Sequence, residues 1–181
     1  MFWAWVGLCL RAECFHIAAP SIDGSRCFIV IGLKNAGLNA YVVQYLNAHG
    51  TSTSWVHLNE TNAIKAEFGS HAKDLVVSST KSMTGHLLGG AGGIESVFSV
   101  LAIHHQKSPP TINIFNQDPE CDLDYCANEE RDRKIDGAVK NNLGFGWANG
   151  TPGCKRPRGA RGSTRGRRRN LAPGTTPNRV P

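Results

Sequence analysis

The chain has 181 residues, 40% apolar and 19% charged, enough for one hydrophobic core and too ordinary in composition for wholesale disorder. No apolar run reaches the ~18 residues that a membrane-spanning helix needs, so a helical span is excluded. The formal charge of +6 is unevenly placed: nine of the 20 Lys and Arg residues lie from Lys155 onward with no acidic residue among them. Residues 1–154 hold the remaining 11 basic groups against 14 acidic ones, a net of −3, which excludes a basic body.

In chain order, the apolar start Met1–Leu10 has no charged lead-in and no small-residue cleavage site, so it reads as a strand or a truncated start, not a targeting segment. The stretch Ala19–Gly24 (APSIDG) reads as a loop. Arg26–Asn35 carries apolar residues at helical spacing, with Gly37 as its stop. Tyr41–Leu46 is a short β-prone run, Glu60–Phe68 a helix closed by Gly69, and Asp74–Ser79 a second buried strand. Leu87–Gln106 is the longest helical pattern. Ile94, Val97, Phe98, Leu101 and His105 form its stripe, and Pro109 and Pro110 stop it. Its early glycines (89, 90, 92 and 93) each cost up to ~1 kcal/mol relative to alanine, which predicts another backbone packed close by. Thr111–Phe115 reads as a strand, and Lys140–Gly150 as a strand running into a Gly/Asn loop. Strands alternating with helices indicate α/β layers. The tail from 151 onward is rich in Arg, Pro and Gly, has little to bury, and is expected to be disordered.

Six cysteines, at 9, 14, 27, 121, 126 and 154, show no CxxC spacing. They indicate neither a zinc site nor a disulfide framework but ordinary thiols in a reducing compartment. Cys121 and Cys126 come nearest to a ligand pair, but no matching second half exists, and no metal is expected.

Two strand-to-loop junctions put polar groups where an α/β sheet normally presents its site, at the carboxyl ends of strands. These are Asn47–Thr53 (NAHGTST) and Ser78–His86 (SSTKSMTGH). A third loop, Gly144–Gly150, offers flexible backbone amides. Two histidines, a lysine and a set of hydroxyls suit the polarisation of a carbonyl and the stabilisation of enolate-like charge.

These same segments, extended to NLGFG at Asn142–Gly146 and to Ser78–Gly92, resemble the C-terminal half of type II β-ketoacyl-[acyl-carrier-protein] synthases, the condensing enzymes of fatty-acid elongation. Asp118–Asp124 and Phe15–Gly24 extend the likeness, which spans roughly Val6 to Gly150. The form of the lysine loop favours the fatty-acid branch over the polyketide one. The resemblance implies a thiolase-like α/β fold of which residues 1–150 are the C-terminal half, followed by the tail at 151–181.

It further implies decarboxylative condensation of malonyl-carrier protein with an acyl thioester. The catalytic residues would be His49, His86 and Lys81. Glu95 would be the acidic partner of Lys81, Thr51 and Thr53 the hydroxyls holding the pantetheine arm, and Phe145 the gate and oxyanion residue. No cofactor is implied, since the substrates ride on the phosphopantetheine of acyl carrier protein. That carrier and a second copy in a homodimer are the expected partners. The expected location is the cytoplasm, or a plastid or mitochondrion, and not the exterior.

Three departures stand out. The family's nucleophilic cysteine lies in the N-terminal half, and none of the six cysteines here stands in an Ala-Cys-Ser-type elbow. Ser54–His57 (SWVH) replaces a Pro-x-Gly-Asp turn with its buried acid. Trp147 and Ala148 intervene before Asn149, where the pattern has Gly-Thr, and the tail stands in place of a final core strand. The isolated chain is therefore expected to be inactive alone. The alternatives are a non-catalytic truncated fragment or a nucleic-acid-binding protein acting through the basic tail, with nucleic acid not the expected partner.

Overall fold

The computed structural model describes residues 4–11, 22–143 and 149–156. Strand β1 (Ala4–Arg11) precedes helix α1 (Ile22–Asn35), which ends at Gly37 in a left-handed conformation (φ +58°). A short 3-10 turn at Ala40–Val42 replaces the front of the expected Tyr41–Leu46 strand, and only Tyr45–Asn47 forms β2. The Asn39 side chain accepts the Tyr41 N–H there, a local turn bond that competes with extended pairing. Helix α2 (Ser54–Phe68) starts six residues earlier than its apolar periodicity predicts and closes at Gly69. Strand β3 (Val76–Ser78) is followed by the four-residue α3 (Lys81–Thr84) and by α4 (Ala91–His105). Two short strands, β4 (Lys107–Ser108) and β5 (Arg131–Asp132), pair with each other away from the main sheet.

Thr111–Phe115 is not a strand. Thr111 makes one isolated bridge to Ala127, and the positive φ of Asn113 (+68°) breaks any extended run. Strand β6 (Gly137–Lys140) ends where a strand was expected to begin, because Asn141 turns into the site. β7 (Asn149–Lys155) crosses the boundary expected at residue 150 and lies between β1 and β6, so a final sheet strand is present after all. The folded part thus extends to Arg156, whose N–H donates to the Asp136 carbonyl, and the rest of the tail lies outside the described residues.

The five-stranded sheet runs β1-β7-β6-β2-β3, with β2 parallel to both β3 and β6 and the other pairings antiparallel. Side chains alternate across a sheet with period two. Leu46 and its register partners Val77 and Val139 therefore face one side, in a core with Ile29 and Leu33 of α1 and Ile64 and Phe68 of α2. Tyr45 and Ala138 face the other, with Ala102 and Ile103 of α4. The result is three layers, α1 and α2, the sheet, and α4.

Helix α4 presents the opposite face to that sheet from the one its apolar pattern marks. Ala91, Glu95, Ser96, Ser99, Ala102 and Ile103 are buried, whereas Val97 and Leu101 are 55% and 42% exposed. Periodicity identifies residues that share a face but not the surface that face meets, and the small residues let α4 approach the strands. The early glycines of this region do not accommodate a close backbone among the described residues. A β-carbon added at Gly89 or Gly93 would meet nothing within 4 Å, and one at Gly92 would meet only side-chain nitrogens of Asn142 and Lys140. The close approach is elsewhere: a β-carbon on Gly137 would lie 2.4 Å from the Val42 carbonyl oxygen. Gly137→Ala should therefore cost about 1–3 kcal/mol in a denaturant titration. Gly93→Ala, in open space on a helix, should be neutral or stabilising by up to ~1 kcal/mol.

Candidate active site

One row beyond Tyr45, the carboxyl ends of three parallel strands place Asn47, Ser78 and Lys140 in register. By the same alternation these residues point to the α4 side. There Asn47 Nδ2 donates to Thr80 Oγ1 (3.1 Å), and Ser78 Oγ pairs with the Tyr45 hydroxyl (2.8 Å). Burial pushes the Tyr45 phenol well above its ordinary range, against the opposing effect of the Ser78 hydrogen bond.

The chain after β2 is held by a residue with no marked signal in the sequence. Glu60 of α2 is 3% exposed and accepts from His49 N (2.8 Å), Gly50 N (3.0 Å) and Asn141 Nδ2 (2.8 Å). One carboxylate thereby ties the His49 loop to the turn after β6. Asn141 is in turn held by Thr151 of β7. Gly50 is required where it stands, because its φ is +37° and a β-carbon would lie 2.6 Å from Ser79 Cβ.

His49 and His86 have ring centroids 5.2 Å apart at 82°, an edge-to-face arrangement. His49 is buried and its Nδ1 has no hydrogen-bond partner. Its pKa is lowered from 6.5 to about 3, first by burial and then by the charges of Lys81, His86 and Lys140, with Asn142 opposing. The exposed His86 accepts the Leu88 N–H at Nδ1 (2.9 Å), so in the neutral ring Nε2 carries the proton and is free to donate. Lys81, in the first turn of α3, is paired with Glu95 of α4. Thr51 and Thr53 lie together, their hydroxyls 3.4 Å apart. They share with Lys81 and His86 a cavity of about 750 Å³ that Ile112 and Tyr125 also line.

The structure thus brings together six of the residues singled out in the sequence: His49, His86, Lys81 and Glu95 around one point, with Thr51 and Thr53 on the adjoining wall. Phe145 and Trp147 lie outside the described residues. Cys121 and Cys126 are separate buried thiols. Cys121 accepts from Thr61 Oγ1 (3.6 Å), and Cys126 donates to the Glu129 carbonyl (3.3 Å). Lys140 was expected only as part of a strand. It proves to be the second cation on Glu95, with Nζ 3.1 Å from Oε2.

This is the architecture of a thiolase-like α/β half carrying paired imidazoles at the carboxyl ends of its parallel strands. Residues 11–115 match the family "Beta-ketoacyl synthase, C-terminal domain". The chain is 50% identical over 153 residues to 3-oxoacyl-[acyl-carrier-protein] synthase 2 of Synechocystis sp., covering 83% of this chain and 37% of that protein. It is 52% identical over 147 residues to the Staphylococcus aureus protein of the same name, covering 80% of this chain and 36% of that one. Among solved structures it is similar to a type II polyketide ketosynthase in complex with its acyl-carrier protein and bound to a hexaketide. The TM-score there is 0.81 at 35% identity, over 86% of this chain and 38% of that one. The chain belongs to the β-ketoacyl synthase family, through its C-terminal domain. It spans little more than a third of the length of these curated relatives.

The low pKa of His49 has a consequence for stability. The unfolded imidazole takes up its proton near pH 6.5 and the folded one only near 3, so the unfolded state binds more protons between these values. On this account stability falls as pH drops through that window, by up to about 1.4 kcal/mol per pH unit. Denaturant titrations from pH 7 to 4 should show this slope, and His49→Asn should remove it.

Proposed function

We propose that this chain supplies the C-terminal half of the active site of a 3-oxoacyl-[acyl-carrier-protein] synthase of fatty-acid elongation. The carrying observation is the pair of edge-to-face imidazoles 5.2 Å apart beside the buried Lys81–Glu95 pair. His86, with its Nε2–H unengaged by the backbone, and the neutral His49 suit donation to a thioester oxygen. Such donors stabilise the enolate that forms when malonyl-carrier protein loses its carboxylate as carbon dioxide and the bonding pair passes to the α-carbon. Each donor of this kind is worth about 3–4 kcal/mol in the transition state. The carbanion attacks the acyl thioester, a carbon–carbon bond forms, and the cysteine thiolate leaves.

On this reading Lys81 orders the field around the imidazoles and Glu95 holds Lys81. Thr51 and Thr53 line the cavity where a pantetheine arm would run. Phe145 is assigned the gate on its motif alone. Substrates arrive on the phosphopantetheine of acyl carrier protein, and no other cofactor is invoked. The nucleophilic cysteine belongs to the remaining part of a complete synthase, whether supplied by the same polypeptide or another. That part is also the natural cover for Val97 and Leu101 on the outward face of α4. The whole enzyme works as a homodimer. The 50–52% identity to proteins named 3-oxoacyl-[acyl-carrier-protein] synthase 2 supports the fatty-acid branch. The buried free thiols Cys121, Cys126 and Cys154 fit a reducing compartment, the cytoplasm or an organelle. No helix among the described residues is long and apolar enough to cross a membrane.

Two outcomes test the proposal. Incubated alone with an acyl-carrier protein loaded with a long acyl chain, the protein should show no thioester on any cysteine by mass spectrometry. When a polypeptide carrying the missing half is supplied, malonyl-carrier protein should be decarboxylated, and His49→Ala or His86→Ala should lower that rate about 10²–10³-fold. Full activity in both variants would end the assignment.

A further inference from the structure

Lys140 has no role in the reading above, yet it is among the most deeply buried charges of the molecule. It ends β6, opposite Asn47 in register and on the side of the sheet that meets α4. Its side chain is 2% exposed, those of Lys81 and Glu95 are 4% and 1% exposed, and each lysine takes one oxygen of Glu95. Beyond these ion pairs, neither ammonium has a hydrogen-bond acceptor among the described residues. Two cations thus share one buried carboxylate. The other charged or titratable groups facing this cluster are Glu60 from α2, whose oxygens are engaged by His49 N, Gly50 N and Asn141, the Tyr45 phenol and the imidazoles themselves.

A buried lysine is costly unless matched, since burial disfavours its charged form. A side chain needed only to fill this volume would be met by methionine. We infer that Lys140 is a positioning residue of the proposed active site. With Lys81 it fixes both oxygens of Glu95, and its positive charge adds to burial in keeping His49 a neutral imidazole and favours a bound oxygen that turns negative. The inference rests on the reading of His49 and His86 as thioester-polarising groups.

Two pKa shifts run in the direction this geometry sets. Lys140 is itself drawn down from 10.5 to about 8, first by burial and with Glu95 opposing, so its charge is present below that pH and lost above it. The charge of Lys140 is one of those that lower the pKa of His49.

The test is NMR of the full 181-residue chain with ¹⁵N-labelled histidine, comparing wild type, Lys140→Met and Lys140→Arg across pH. The methionine variant should raise the His49 midpoint by about half a unit to one unit, a three- to tenfold gain in proton affinity. The arginine variant should leave it near the wild-type value. Coincident wild-type and methionine curves would overturn the inference, as would equal shifts in both variants. Should the methionine variant not fold, the Lys140 ¹³Cε titration of the wild type decides. A midpoint near pH 8 supports the buried charge on which the inference rests, and one near 10.5 overturns it. Neither readout needs turnover, so a negative result here in a protein active with its missing half removes Lys140 alone, whereas inactive His49 and His86 assignments fail separately.

Discussion

The Glu95 carboxylate, 1% exposed and shared by lysines from α3 and β6, is the constraint on which the rest of the site depends. It joins α4 to α3 and to the end of β6 through one buried carboxylate. Losing it would strand two buried ammonium groups, and a single uncompensated buried charge already costs about 3–5 kcal/mol. Its reach is set by the strand register. Because β2, β3 and β6 run parallel and in step, the residue after each apolar pair points to α4, and at their carboxyl ends these residues are Asn47, Ser78 and Lys140. A one-residue slip would turn Lys140 toward the apolar core with α1 and α2 and leave Glu95 with one partner.

A second carboxylate does the corresponding work for the backbone. Glu60 collects the amides of His49 and Gly50 and the side-chain amide of Asn141, so the loop carrying the first imidazole is set by α2 while the second hangs on the turn after α3. The two rings meet edge to face across elements that are 37 residues apart in sequence. Burial, reinforced by the neighbouring charges, keeps His49 neutral, and the Leu88 amide sets the tautomer of His86, so both rings are prepared as donors by their surroundings. The apolar outer stripe of α4 faces away from the sheet. Val97 and Leu101 are exposed there, and the chain spans little more than a third of the length of its curated relatives.

Much was legible in the residues. Gly37 and Gly69 ended helices where their freedom to take positive φ predicts, the apolar triplets around Leu46 and Val77 lay in buried strands, and the motifs around His49 and Lys81 identified both the loops and the family. Strand ends were less legible. Three-residue strands are too short for period two to be distinguished from a buried turn, and β7, with Pro152, Gly150 and Gly153, has no strand-like composition at all. It is a strand because β1 and β6 offer it paired edges on both sides.

The sequence by itself determined the layered α/β class, the two polar loops at strand ends and the membership of the family, because these rest on local patterns and motif letters. The tertiary structure alone decided that α4 turns its small, polar side inward, that Glu60 anchors the His49 loop and that Lys140 shares Glu95 with Lys81. Those facts depend on strand register and on contacts between residues 45 to 81 positions apart, such as Glu95 with Lys140 and Glu60 with Asn141, which no local pattern encodes.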